Sequence, residues 1–117
     1  GQKGEKIMEV LRVVFITVPP NKAEKMAQSM VENRLCACVN VIPAVKSFYY
    51  WKEELKNEQE CLLIVKTTQS KIDDLIKFVR KNHPYEIPEI ITLRVAEGLP
   101  DYVDWVIEEM GKEVETA

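Results

Sequence analysis

Four β-rich apolar runs, an amphipathic helical stripe inside each half of the chain and a further helical stretch at the C-terminal end predict an α+β fold. The order is βαββαβ plus one helix, that of a ferredoxin-like sandwich. The first run, Val10 to Val18, is apolar on both faces, as a central strand is, and Pro19-Pro20 ends it. Asn21 with Glu24 three residues on predicts an N-cap and capping box; Ala23, Met26, Ala27, Met30 and Val31 then form one stripe, and the helix is expected to end near Asn33-Arg34. A second strand from Cys36 to about Trp51, bent near Pro43, and a third from Glu60 to Thr67 are expected to pair as an antiparallel hairpin. The polar connector Lys52 to Gln59 suits a solvated hairpin end and equally a helical turn. Ser70 predicts the next N-cap, Asp73 and Asp74 its first turn, and Ile72, Leu75, Ile76 and Val79 the second stripe. Pro84 halts that helix at about His83. Glu89 to Val95 is the fourth strand, closed by Glu97-Gly98-Leu99-Pro100, and a last helix covers about Asp101 to Met110.

A chain of 117 residues fits one domain, expected over 8–117, with Met8 as the natural start and residues 1–7 as an added lead or a disordered N-terminus. A net charge of -3 offers no basic surface for nucleic acid. No apolar run is long enough to span a bilayer and the first residues lack a signal peptide's apolar segment, so a cytoplasmic protein without membrane contact is expected. Cys36, Cys38 and Cys61 are an odd set without a secretory signal, which argues for reduced thiols. Four glycines, at 1, 4, 98 and 111, cannot assemble a phosphate-cradling or dinucleotide loop, and no organic cofactor is expected.

The segment Asn82-His83-Pro84-Tyr85-Glu86-Ile87-Pro88-Glu89 carries the most chemistry, with the only histidine and two carboxylates on a stretch stiffened by two prolines. His83 has two readings: a helix C-terminal cap, or a metal-binding imidazole that needs converging partners. Cys36 and Cys38, two apart, are expected on one strand face, as a thiolate pair or as small core residues. In Phe48-Tyr49-Tyr50-Trp51 both strand faces are aromatic, whereas this fold puts helices on only one side of its sheet. The open face would leave a large apolar patch on a monomer, so an oligomer packed through open sheet faces is expected.

Taken together, Ala37-Cys38-Val39-Asn40, the aromatic run before Trp51, Lys66-Thr67-Thr68, His83-Pro84-Tyr85-Glu86 with Pro88-Glu89-Ile90, and Tyr102 with Trp105 resemble the divalent-cation tolerance protein CutA family over about Leu11 to Met110. The resemblance implies a homotrimer of ferredoxin-like subunits, cytoplasmic in microbes and linked to tolerance of copper and other divalent metals. Some members carry a cysteine on the first strand and a second histidine before the His-Pro-Tyr motif; here Ile16 and Asn82 stand there and only His83 matches. His83 with Glu86, Glu89 or Cys38 is the set that could take Cu(II) or Zn(II). The matched Trp51, Glu60, Lys66, Tyr85 and Glu89 imply a pocket between subunits for a small polar ligand, or an ion pair of Lys66 with Glu60 or Glu89 across an interface. Tyr102 and Trp105, with Val103, Val106 and Met110 at helical spacing, are expected to anchor the last helix to its own or a neighbouring subunit.

Two functions follow: a non-catalytic homotrimer binding copper or another divalent cation, or a trimeric signalling module holding a small polar ligand in its inter-subunit clefts. An enzyme using His83 as base and Glu86 or Glu89 as orienter finds no nucleophile or second histidine to support it.

Overall fold

The first apolar run forms strand β1 (Leu11–Val18), an inner strand of a four-stranded sheet in a computed structural model that describes residues 10–114. The expected lead, residues 1–7, lies outside the described residues. Helix α1 (Pro20–Glu32) leads to β2 (Cys38–Trp51), a two-residue turn to β3 (Glu54–Thr68), a 3₁₀ turn (Gln69–Lys71) to α2 (Ile72–Asn82), and then come β4 (Ile90–Arg94) and α3 (Pro100–Met110). The sheet order is β2-β3-β1-β4 with every neighbour antiparallel, the ferredoxin-like arrangement.

Strand alternation divides the apolar residues between two faces. Val14, Ile16 and Val18 pair with Val65, Leu63 and Cys61, and α1 and α2 cover all six with Ala23, Met26, Met30, Leu75 and Val79. The opposite face carries Val13, Phe15, Leu62 and Ile64, only partly buried, and Ile42, Ile91 and Leu93, which are exposed. Among the described residues no helix lies over it; α3 closes one end, where Val103, Val106 and Met110 cluster with Leu11. The Thr67 hydroxyl donates to the Leu35 carbonyl at 2.8 Å beside the Met110 sulfur, and Arg34 pairs with Glu109 at 2.8 Å, tying α3 to the end of α1.

Several local expectations are corrected. Asn21 does not cap α1: Pro20 opens the helix after Pro19, whose carbonyl accepts from Lys22 N–H at 2.9 Å, because proline's fixed φ suits the first helical position and its missing N–H needs no partner. Val31 turns outward, 38% exposed. Ser70 sits in the 3₁₀ turn, its hydroxyl against that of Thr68, and α2 starts at Ile72. Cys36 precedes β2 and is buried in the helix-side core, whereas Cys38 pairs with Lys66 on the open face, so the two thiols do not share a face. Of the anchoring set expected on the last helix, Val103, Val106 and Met110 do hold α3 to its own chain, whereas Tyr102 and Trp105, with ring centres 5.7 Å apart, stay 41% exposed.

The open question over the connector is settled in favour of the strand. Glu54 to Gln59 continues β3, and Lys52-Glu53 alone make the turn, with φ of 50° and 70°. Both lie in the left-handed region that a type I′ hairpin requires and that non-glycine residues adopt at a cost of about 1–2 kcal/mol. The register shift between Ile42 and Val45 lets the paired strands bend outward past the end of β1, forming an arm whose Phe48, Tyr50 and Leu55 are 65–74% exposed. Glu53→Gly should therefore raise the unfolding free energy by about 0.5–1 kcal/mol, read as a higher urea midpoint at unchanged slope. A lower midpoint would show that the turn carries no strain.

Candidate functional site

Pro84 removes the N–H that would continue α2, and Pro84 also excludes helical backbone from His83, which turns extended with φ -90° and ψ 135°. The His83 N–H still donates to the Val79 carbonyl at 2.8 Å, so the residue caps the helix while its side chain swings inward to 7% exposure. There the ring bridges two backbone groups. Tyr85 N–H donates to Nδ1 at 3.1 Å, which makes Nδ1 the unprotonated nitrogen; Nε2–H then donates to the Thr17 carbonyl at 2.7 Å. The neutral imidazole thus fastens the segment after α2 to the C-terminal end of β1, and Tyr85 packs against it with ring centres 4.8 Å apart.

That fastening makes one wall of a cleft of about 630 Å³. Glu60 lies on the open-face side of β3, opposite Val45; Ser47, Tyr49 and Trp51 follow on the same side of the arm. Tyr85, Glu86, Ile87 and Glu89 enclose the space from the fastened segment, and Thr17 lies at its base. Glu60 is 3% exposed, and its Oε2 has no hydrogen-bond partner among the described residues. A buried acceptor left unpaired costs about 1–3 kcal/mol, more when charged. Burial first, then the negative field of Glu60, with smaller contributions from Glu58 and Tyr49, raises the Tyr85 phenol above its ordinary value.

Of the residues the sequence singled out, Trp51, Glu60, Tyr85, Glu86 and Glu89 meet in this cleft. Lys66 and Cys38 do not: they face each other across β2 and β3 farther along the open face, where burial first, and then the neighbouring Cys38, raises the Tyr102 phenol above its ordinary value. His83 stands behind the wall rather than in it, with both ring nitrogens engaged, so it offers a metal no lone pair until one of those bonds breaks. Asn82 donates to the Phe78 carbonyl at 2.8 Å, and Ile16 is wholly buried on the helix side. Among the described residues no three His, Cys, Asp or Glu side chains converge as metal ligands. The described residues of one chain therefore offer a divalent metal no ready-made set of ligands. The sequence did not single out Thr17, Ser47 or Ile87; Thr17, a polar residue in the apolar stretch that follows Arg12 in the central strand, was the available signal.

The CutA1 divalent ion tolerance protein family matches residues 12–109. The chain belongs to that family. It is 46% identical over 100 residues to the divalent-cation tolerance protein CutA of Thermus thermophilus, covering 85% of this chain and 97% of that one. It is 45% identical over 93 residues to mouse protein CutA, 79% of this chain but 52% of the mouse protein, so it spans about half of that longer relative. The solved structure of the Thermus thermophilus protein superposes with a TM-score of 0.82 at 45% identity, over 85% of this chain and 97% of that chain. A structure described as the PII-like protein CutA from Nostoc superposes with a TM-score of 0.80 at 34% identity, over 85% and 96% of the two chains. The family is named for tolerance of divalent cations rather than for a reaction.

Two outcomes test the site's architecture. His83→Phe fills the same space but strands the Thr17 carbonyl and the Tyr85 N–H, and should lower the unfolding free energy by about 2–4 kcal/mol and speed amide exchange at Tyr85. Unchanged exchange there would mean the segment is held by something else. Burial pushes the Cys36 thiol up to about 12. At pH 8 only about one thiol in ten thousand is then thiolate, so iodoacetamide should leave Cys36 unmodified in native protein and label it on unfolding. Rapid native labelling at Cys36 would contradict its place in the core.

Proposed function

We propose that this chain is a non-catalytic, homotrimeric protein of the cytoplasm that serves divalent-cation tolerance by binding a small polar ligand in the cleft beneath the His83 segment. The observation that carries the reading is the buried Glu60 carboxylate, without a partner at Oε2, lining a cleft of about 630 Å³. That volume suits a metabolite-sized ligand. Self-association is supported by the uncovered sheet face with Phe15, Ile64, Ile91 and Leu93, since exposed apolar areas of this kind mark interfaces. Three unpaired cysteines suit a reducing compartment. The description of the Nostoc relative as PII-like favours a signalling role of the same kind here.

Direct binding of copper or another divalent cation is the second reading. It is favoured by the family's name and by the three carboxylates of Glu60, Glu86 and Glu89 around one cleft. It requires those side chains to draw together, or a second subunit to add ligands.

Native mass spectrometry of metal-stripped protein titrated with Cu(II) and Zn(II), with His83→Ala and Glu60→Gln alongside, separates the readings. The expected result is a trimer with no stoichiometric metal uptake that depends on His83. Stoichiometric Cu(II) lost in Glu60→Gln would make the metal reading correct, and a monomer at micromolar concentration would remove the assembly.

A further inference from the structure

We propose that the cleft is selective for a small organic cation, a primary ammonium or guanidinium group on a short aliphatic stem. The inference rests on the small-ligand reading of the cleft and adds the ligand's chemical class. Three independent features of the lining point the same way.

The first is charge. Among the described residues of one chain, the side chains around the cleft include the carboxylates of Glu60, Glu86 and Glu89 and no lysine, arginine or histidine. An anion entering would meet three like charges, whereas a cation meets three opposite ones. The second is the state of Glu60. An ionised carboxylate only accepts hydrogen bonds, so the group that satisfies Oε2 must bring N–H or O–H donors, and charge-assisted N⁺–H···O⁻ bonds are the strong ones. A bare divalent ion would want further oxygens at about 2.0–2.6 Å, and no such convergence exists among the described residues. The third is the aromatic walls. Phe48, Tyr49, Trp51 and Tyr85 line the same space, and the faces of such rings attract alkylammonium and guanidinium groups while their bodies accommodate a methylene stem. The chain itself already places an ammonium beside one of them: Lys52 Nζ lies 6.0 Å from the centre of the Trp51 ring.

Together these features define a polarity for the bound ligand. The cationic nitrogen donates to Glu60 at the buried end, the stem lies along Trp51 and Tyr85, and a second amine, where the ligand has one, reaches Glu86 or Glu89 at the exposed rim. Diamines and amino-guanidines are the class that uses all three.

The test is isothermal titration of the intact chain with putrescine and agmatine, with 1,4-butanediol as the uncharged counterpart and glutamate and ATP as anionic probes. Glu60→Gln, and Trp51→Leu as a half-exposed position that does not endanger folding, are titrated in parallel, and sedimentation is run on each variant. Saturable binding of an amine, absent for the diol and weakened about tenfold or more by each substitution, is the expected result. No amine binding up to about 10 mM overturns the proposal, since a desolvated charge pair in a formed cleft should exceed that affinity. If glutamate or ATP then binds and Glu60→Gln weakens it, the ligand-binding reading stands with a different ligand class; if nothing binds, both fall. Amine binding that neither substitution alters places the amine elsewhere and overturns the proposal. Loss of the assembly in Glu60→Gln, without amine binding to the parent chain, would show that the carboxylate is met by a basic side chain of a second copy, which also overturns it.

Discussion

The two hydrogen bonds of the His83 ring are the constraint on which the rest of the site depends. An imidazole that accepts from Tyr85 N–H and donates to the Thr17 carbonyl is confined to one tautomer and one orientation, and it joins a segment with no strand or helix of its own to the sheet's central strand. Pro84 makes this possible by ending α2 at the residue that must turn inward. The bridge ties the Pro84-to-Glu89 stretch to β1, and without it the cleft loses its wall. The same bridge explains why the only histidine is a poor metal ligand here: a metal must compete with two hydrogen bonds already made in a site closed to water.

How much of the fold was legible follows from where burial acts. β1 and the helix-side half of β3 read clearly because both are pressed against the core, and burial imposes apolar residues on them. The stripes of α1 and α2 read for the same reason. The arm was harder to read. Glu54, Asn57, Glu58 and Gln59 are mostly exposed beyond the end of β1, so nothing forces alternation on them and their strand geometry comes from pairing with β2 instead. The caps failed for a different reason: Asn21 and Ser70 are favourable cap types, but Pro19-Pro20 and the 3₁₀ turn after Thr68 set the backbone first.

The candidate site was legible residue by residue and not as a geometry. Trp51, Glu60, Tyr85, Glu86 and Glu89 could be singled out from a family resemblance, yet only the fold shows that they share one cleft while Lys66 and Cys38 sit elsewhere on the same face. Cys36 and Cys38 illustrate the limit. Spacing by two implies one face only if both lie on the strand, and β2 begins at Cys38, so the backbone before it carries Cys36 into the opposite layer. The engagement of both His83 nitrogens is likewise invisible in sequence, because the partners are backbone atoms 66 residues and two residues away and leave no side-chain signature.

Glu60 is the point at which stability and function pull apart. On strand β3 its neighbours on the same face, Leu62 and Ile64, are apolar, and an apolar residue at 60 would be cheaper to bury than a carboxylate with an unpaired oxygen. Folding alone therefore gives no reason for the charge. A group that completes the pairing supplies one: the fold itself already buries Glu60, so a donor arriving there makes its hydrogen bond without desolvating the carboxylate again, and only its own hydration is lost. Such preorganisation favours ligands whose hydration is weak. Guanidinium, less strongly hydrated than a compact ion, has the advantage over a small divalent cation that holds its waters tightly. The orphan oxygen that makes the fold slightly worse thus makes the cleft more selective.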